Sequence, residues 1–381
     1  MKFLYTDILP IGKPEGGESF SSAVAAEIET AERVDIAVGY VSRASLLELD
    51  ALVRNAHIKY ITLTIGMYFI EGMPESSYYT ACEINDAWKK DGIGEIRLVR
   101  VCKYHGKVYC FYRKGAPSSA IVGSANLGAI KMEATNRRQY ELAILTDEPA
   151  DCQQVSELIS RLKSSTCSAN IADISNIPII REPNVALNNV DTVAQVPQSD
   201  VEVYQRNLTD ISFALPIKVP AYQERHMDDG KHFTKSNLNV CYAAPRSARR
   251  SRDWYETQIT VDKRLTLQPG YPKKNCPFFI ITDDGYRIKV HTTSDGNKQL
   301  SAVGDELILG RWIKGRLAAA GLVTPVNDTQ KDKERAGMIT REMLLRYGCE
   351  RLVLTKTTKQ AYDGDELLDV WMLSFEAGAD E

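Results

Sequence analysis

The residues of this chain best equipped for chemistry are His105 and Lys107, in the run Tyr104-His105-Gly106-Lys107-Val108-Tyr109. Side chains two apart in a strand point the same way, so the spacing predicts an imidazole and an ammonium presented from one face. That pair suits a phosphate. An imidazole can act as nucleophile or general acid, while a fixed cation stabilises charge on the non-bridging oxygens of a five-coordinate phosphorus. Downstream, Ile121-Val122-Gly123-Ser124-Ala125-Asn126 places a turn after a buried run, where the Ser124 hydroxyl and the Asn126 amide can reach the same oxyanion. Glu141 is the candidate to hold the imidazole in its working tautomer. It reads nearly as well as a surface carboxylate paired with Arg137 or Arg138. A lone His-x-Lys triplet arises by chance in many proteins; the ordered set His105, Lys107, Ser124, Asn126 and Glu141 is what singles this region out.

Positioning such groups takes a scaffold. Over the first hundred and sixty residues, short β-branched runs alternate with helical patterns, the mark of a layered α/β sheet. Helices are predicted over 20–33, 45–55, 75–90 and 150–163, and strands over 34–40, 58–66, 95–101, 107–112, 120–123 and 139–145. Between 182 and about 207 the pattern fails: Pro183, Pro197, Asn188-Asn189 and scattered Gln, Ser and Asp leave too little apolar surface for a core. The domains are accordingly set at 1–181 and 211–381, with 182–210 as a linker. The second domain reads as mostly β, with strands over 254–261, 277–282, 286–292 and 370–375, turns at Asp284-Gly285 and Asp295-Gly296, and a helix over 305–320.

A chain of 381 residues exceeds what one core usually organises, and 44% hydrophobic with 25% charged residues excludes a disordered tail or fibrous repeat. There is no run of eighteen apolar residues and no leader-like start, so no membrane span is expected and the cytoplasm is the expected compartment. Eight cysteines without a CxxC pair argue against a zinc site or a disulfide framework, and neither a metal nor a cofactor is expected. His226 and His232 flank Asp228 and Asp229 at a spacing that matches no familiar ligand pattern. Trp254 and Trp312 read as core aromatics. The net charge of −3 conceals a basic window from Lys231 to Lys274, with ten Lys/Arg against three acids. Such a density points to nucleic acid.

The HxK, the GSxN and the following glutamate resemble the catalytic signature of the phospholipase D superfamily, in the one-motif-per-chain form of its nucleases; Ala37-Val38-Gly39-Tyr40-Val41-Ser42 resembles that family's first strand. The superfamily pattern HxKxxxxD places an aspartate where this chain has Tyr112. One HxK per chain implies a complete site built from two copies. With the second half included, the chain is similar to the NgoFVII-type and BfiI-type restriction endonucleases. The segments carrying that likeness are Asp253-Trp254-Tyr255-Glu256, the run from Pro277 to Gly285, and Leu309-Gly310-Arg311-Trp312-Ile313-Lys314-Gly315.

That resemblance implies an α/β phospholipase-D-like catalytic and dimerisation domain, then a mostly-β pseudobarrel akin to the B-three domain of plant transcription factors, clamping the major groove of double-stranded DNA with two arms. By position, one arm is assigned to Lys235, Ser236, Asn237 and Asn239 and onward through Arg246, Arg249, Arg250 and Arg252. The other carries Thr293, Asp295, Asn297, Lys298 and Gln299. Asn, Gln and Arg are the types that read base edges, and Lys and Ser more often hold phosphates. The implied activity is sequence-specific, metal-independent DNA cleavage by a homodimer, beside a DNA methyltransferase and in some relatives a helicase-like ATPase; this chain has no GxxxxGK[ST] of its own. The competing readings are a DNA-binding protein with an inactive nuclease fold, for which Tyr112 is the argument, and a phospholipase-D-type phosphodiesterase acting on lipid, against which the basic arms count.

Overall fold

Val34, Ile36 and Val38 alternate with Asp35 and Ala37 along the strand Arg33–Val38, and both sets are buried. A strand buried on both faces must be covered on both. Helices Phe20–Thr30, Arg43–Asn55 and Glu75–Asp91 cover one face, and Pro149–Leu162 covers the other. Helix Arg43–Asn55 starts where the Ser42 side chain accepts from the Ser45 N–H and Ser45 returns a bond to Ser42, and it buries Leu46, Leu49 and Val53 at helical spacing. Each such fully buried aliphatic side chain contributes about 1.5–3 kcal/mol.

These layers belong to a computed structural model that describes residues 1–131, 139–227, 237–245, 247 and 251–376, in two units, Met1–Glu182 and Pro183–Glu381. In the first unit the strands form one nine-stranded sheet. Its order is Ser168–Asn170, Gly94–Val99, Tyr60–Ile65, Arg33–Val38, Val108–Arg113, Ala116–Gly123, Leu142–Thr146, Lys2–Tyr5 and Glu18–Ser19. The Arg33–Val38 and Tyr60–Ile65 pair is parallel, and the run from Arg33–Val38 through Leu142–Thr146 to Lys2–Tyr5 is antiparallel throughout.

The second unit carries an eight-stranded sheet, in which Leu208–Pro216, Arg351–Asp363, Glu366–Glu376, Phe278–Thr282, Tyr286–Thr293, Gln299–Ala302 and Ile259–Thr260 follow one another and Val193–Gln195 pairs with Tyr286–Thr293. Helix Ile308–Ala319 buries Trp312, Ile313 and Leu317. Two expectations change here. Residues 182–210 are not a bare linker: 3₁₀ turn Val185–Leu187, strand Val193–Gln195, helix Gln198–Gln205 and strand Leu208–Pro216 all form there, and Val201 is fully buried against the sheet. Their polar composition is that of edge elements exposing one side. The predicted strand over 254–261 shrinks to Ile259–Thr260, because the fully buried Lys314 draws the Trp254 carbonyl to its Nζ and lies 3.4 Å from the Glu256 carbonyl. Carbonyls committed to an ammonium are lost to a ladder.

Candidate active site and nucleic-acid interface

The strand directions bring the motif to one edge of the first sheet. Val108–Arg113 begins at that edge, Ala116–Gly123 ends there, Leu142–Thr146 begins there, and Arg33–Val38 ends there. His105 and Lys107 precede the first, Ser124 and Asn126 follow the second, Glu141 precedes the third, and Gly39-Tyr40 follow the fourth. Residues as far apart in sequence as Gly39 and Glu141 thus surround one opening, and the Tyr40 N–H donates to Asn126 Oδ1 at 3.0 Å. This is also the carboxyl end of the parallel strands, where α/β sheets bind ligands.

The HxK segment is not itself a strand; pairing starts at Val108, and 103–107 is irregular. Tyr104 shapes it. Its N–H donates to the Gly66 carbonyl at 3.1 Å, and its body packs on Gly66 and Gly106. A methyl at Gly66 would fall 2.1 Å from the Tyr104 carbonyl oxygen, and one at Gly106 would fall 2.5 Å from the Tyr104 hydroxyl. Only glycine fits at position 66, where the obstacle is backbone; a side chain at 106 would displace the Tyr104 ring. Held this way, the buried Lys107 donates to the His105 carbonyl and lies 3.0 Å from His105 Nδ1, while the imidazole stays exposed. Tyr40 meets the imidazole edge-on with ring centroids 5.9 Å apart.

Electrostatically, burial pushes the Lys107 ammonium below its ordinary pKa, and the Glu141 carboxylate pushes it back up. Glu141 does not hold the imidazole as the sequence suggested. Its carboxylate accepts from the Ser124 hydroxyl, and its backbone is clamped by Thr6, which accepts from the Glu141 N–H at 2.7 Å and donates its own N–H to the Glu141 carbonyl at 3.2 Å. With the carbonyl of Asn126 occupied by Tyr40, its NH₂ is the end available to an anion. Beside this cluster opens a cavity of about 350 Å³ that Tyr40, Ser42, Arg43, Asn126, Gln139 and Glu141 help to line, with His105 and Lys107 outside it. Arg137 and Arg138 lie outside the described residues.

Tyr112 is not in this site. It lies five residues along the strand from Lys107, roughly 16 Å away at strand rise. Its hydroxyl donates to Asp35 Oδ2 at 3.1 Å, and the fully buried Asp35 also accepts from Arg33 and from Lys163 at 3.1 Å. An acid therefore does stand beside position 112, supplied by the neighbouring strand. Tyr40, Thr6 and Tyr104 are the positioning residues that sequence reasoning missed; the Ala37 to Ser42 run was noted, but no local signal ties Tyr40 to Asn126 or Thr6 to Glu141.

On the second unit, Lys235, Ser236, Arg246, Arg249 and Arg250 fall outside the described residues. Asn237 and Asn239 are buried, contrary to a base-reading role: Asn237 bonds the Lys218 N–H and the Pro216 carbonyl, and Asn239 bonds both the N–H and the carbonyl of Ile339. Buried amides engaged at both ends by the protein's own backbone are not presented to a base edge. Arg252 is likewise tied, to Glu256 and the Ala244 carbonyl. Along the second arm Thr293 bonds Gln299 O at 3.4 Å and Asn297 donates to the Pro272 carbonyl at 2.8 Å. Asp295 is exposed, and Lys298 and Gln299 are half-buried.

Two sequence models of one family match the chain. The NgoFVII restriction endonuclease N-terminal PLD domain matches residues 20–176, and the NgoFVII C-terminal B3-like DNA-binding domain matches residues 203–347. They assign a phospholipase-D-like fold to the first unit and a B3-like fold to the second. No curated protein matches. Among solved structures, the crystal structure of phosphatidylserine synthase from Haemophilus influenzae Rd KW20 is 15% identical with a TM-score of 0.32, over 46% of this chain and 41% of that one. The chain thus spans about two fifths of that neighbour's length.

Proposed function

We propose, from the premise that this chain belongs to the NgoFVII restriction endonuclease family, that it is a type II, sequence-specific DNA endonuclease needing no metal ion, whose site is shared by two copies. The observation that carries the reading is the buried Lys107 ammonium 3.0 Å from Nδ1 of the exposed His105, on the same sheet edge as Ser124, Asn126 and Glu141.

The general acid must be an imidazolium, which carries a proton on Nε2 to give away. A nucleophile must present a bare nitrogen instead, so the reaction takes two imidazoles in different protonation states, and each chain has one HxK. In the proposed course, Nε2 of one His105 attacks phosphorus as the P–O bond to the leaving nucleotide breaks. The leaving oxygen takes its proton from the other copy's His105, and a phosphohistidine results. Water then attacks that phosphorus, gives its proton to the second imidazole, and the P–N bond breaks. The two Lys107 ammonium groups and the Asn126 amides stabilise the five-coordinate phosphorus. With one site for two strands, the strands are cut in succession. In this reading the protein acts in the cytoplasm beside a DNA methyltransferase, and any ATP dependence comes from a helicase-like partner.

The test is digestion of phage DNA by the purified full chain in excess chelator, with the ends sequenced. Recurrent ends at one sequence support the reading; random ends, or no cutting, overturn it. The Lys107 environment adds an expected outcome. Because the Glu141 charge raises the Lys107 pKa, Glu141→Gln removes that support, and the alkaline limb of the pH–rate profile moves to lower pH. An unmoved limb would show that ionisation of Lys107 does not set it.

A further inference from the structure

The turn that joins Tyr286–Thr293 to Gln299–Ala302 is strapped by a distant loop, residues 262–275. Thr266 donates its hydroxyl to the Gly296 carbonyl at 2.9 Å, and Asn297 donates to the Pro272 carbonyl at 2.8 Å. The Asn275 N–H donates to the Thr292 carbonyl at 2.8 Å, Lys274 bridges to Thr292, and the Val261 N–H donates to the Lys298 carbonyl at 2.8 Å. Four lysines come with these segments: Lys263, Lys273 and Lys274 on the strap, all exposed, and Lys298 on the turn. None of the four has a carboxylate within ion-pair distance among the described residues, and the strap's one acid, Asp262, pairs with Arg264 at 3.1 Å.

Several cations elsewhere in this unit are answered, while Lys218, Lys333 and Lys359 stand exposed and apart from the strap. Lys289 pairs with Asp363, Lys356 with Asp369, Arg252 with Glu256, and Arg316 with Asp283. Lys298 also feels the Asp262 carboxylate, but that one acid already pairs with Arg264, and lysines gathered in this way repel one another and cost stability unless an anion meets them. Backbone strain gathers at the same place. Asn275, Ser294 and Asn297 have φ of 60°, 66° and 60°, and Ser294 pairs its value with ψ 176°, a region that side chains avoid. Strain of this kind persists where the surroundings enforce it, and here the strap enforces it.

From this we infer that the strap is itself a part of the DNA interface: Lys263, Lys273 and Lys274, together with Lys298, hold backbone phosphates of the duplex beside the turn that enters the groove. The inference rests on the reading of this unit as a DNA-binding domain. It adds a segment outside both expected arms and gives it a sequence-independent role, because an ammonium meets a phosphate as a point charge without reading a base.

The experiment is fluorescence anisotropy of the full-length protein with a short random-sequence duplex over a range of salt concentrations. Each phosphate contact contributes about 0.9 to the slope of log K against log salt, so K263Q/K273Q/K274Q is expected to lower the slope magnitude by about three. The arginine triple variant K263R/K273R/K274R should restore it. An equal charge loss in the first unit, at Lys89, Lys90 and Lys114, should leave the slope within about one of wild type. A glutamine variant that keeps the wild-type slope, a slope the arginine variant fails to restore, or an equal fall in the first-unit control would each overturn the inference. Wild-type protein with no salt-dependent affinity for the duplex would instead overturn the underlying DNA-binding reading.

Discussion

His105→Ala is expected to abolish DNA cleavage, lowering the rate by about four orders of magnitude or more, while leaving DNA binding near the wild-type level. The asymmetry follows from where the groups sit. His105 is an exposed side chain on the edge of the first unit's sheet, so its removal empties no core. DNA affinity is expected from the second unit, which has its own eight-stranded sheet and its own buried helix. Lys107, which keeps its contact with the residue-105 carbonyl in the variant, should still place its charge at the site. What is lost is the atom that bonds phosphorus and the atom that protonates the leaving group, and no neighbour replaces either. Cleavage within a few-fold of wild type would remove His105 from the chemistry. Wild-type protein that cuts no DNA would instead revive the inactive-nuclease reading, even though Tyr112, the residue that favoured it, lies away from the site and hydrogen-bonded to Asp35.

The second large effect concerns the stoichiometry of the site. A heterodimer of one wild-type and one His105→Ala copy, co-expressed and purified through two different tags, is expected to be as inactive as the double mutant. A site shared across a two-fold axis has one imidazole as nucleophile and one as acid, and a single substitution removes one role from the only site present. A chain that carried a complete site of its own would predict about half of the wild-type homodimer's activity instead. The two outcomes differ by orders of magnitude, so residual exchange between copies does not blur them.

The sequence made the reacting groups legible because their types are rare together and their order survives in the chain. The β-branched runs then gave the strands whose ends carry them, and the alternation of antiparallel strands turned a linear order into a ring around one opening. Contacts without local pattern were not legible. Thr6 clamps Glu141 from 135 residues away, and Tyr40 orients Asn126 across 86. Asn239 looked like a base reader because Asn often is one, yet it is committed to Ile339, a hundred residues distant. Residue type alone does not say whether an amide faces solvent. The polar segment after Glu182 misled for a related reason: half-exposed edge elements need only a few apolar residues such as Val201, too few to stand out in a window. The strand Arg351–Asp363 was overlooked because its Thr and Lys residues resemble a loop, although Leu352 and Leu354 are buried at strand spacing.

The covalent step is the claim on which the rest depends, and rapid quenching tests it directly. Wild-type protein is mixed in chelator with a duplex labelled on either side of the cut, quenched in alkali during turnover, digested, and mapped by mass spectrometry. The account predicts a nucleotide bound through phosphorus to a peptide containing His105, stable in alkali, lost in acid, and absent from His105→Ala. Cleavage that proceeds with no adduct at any time point, or only once a divalent ion is restored, would contradict it.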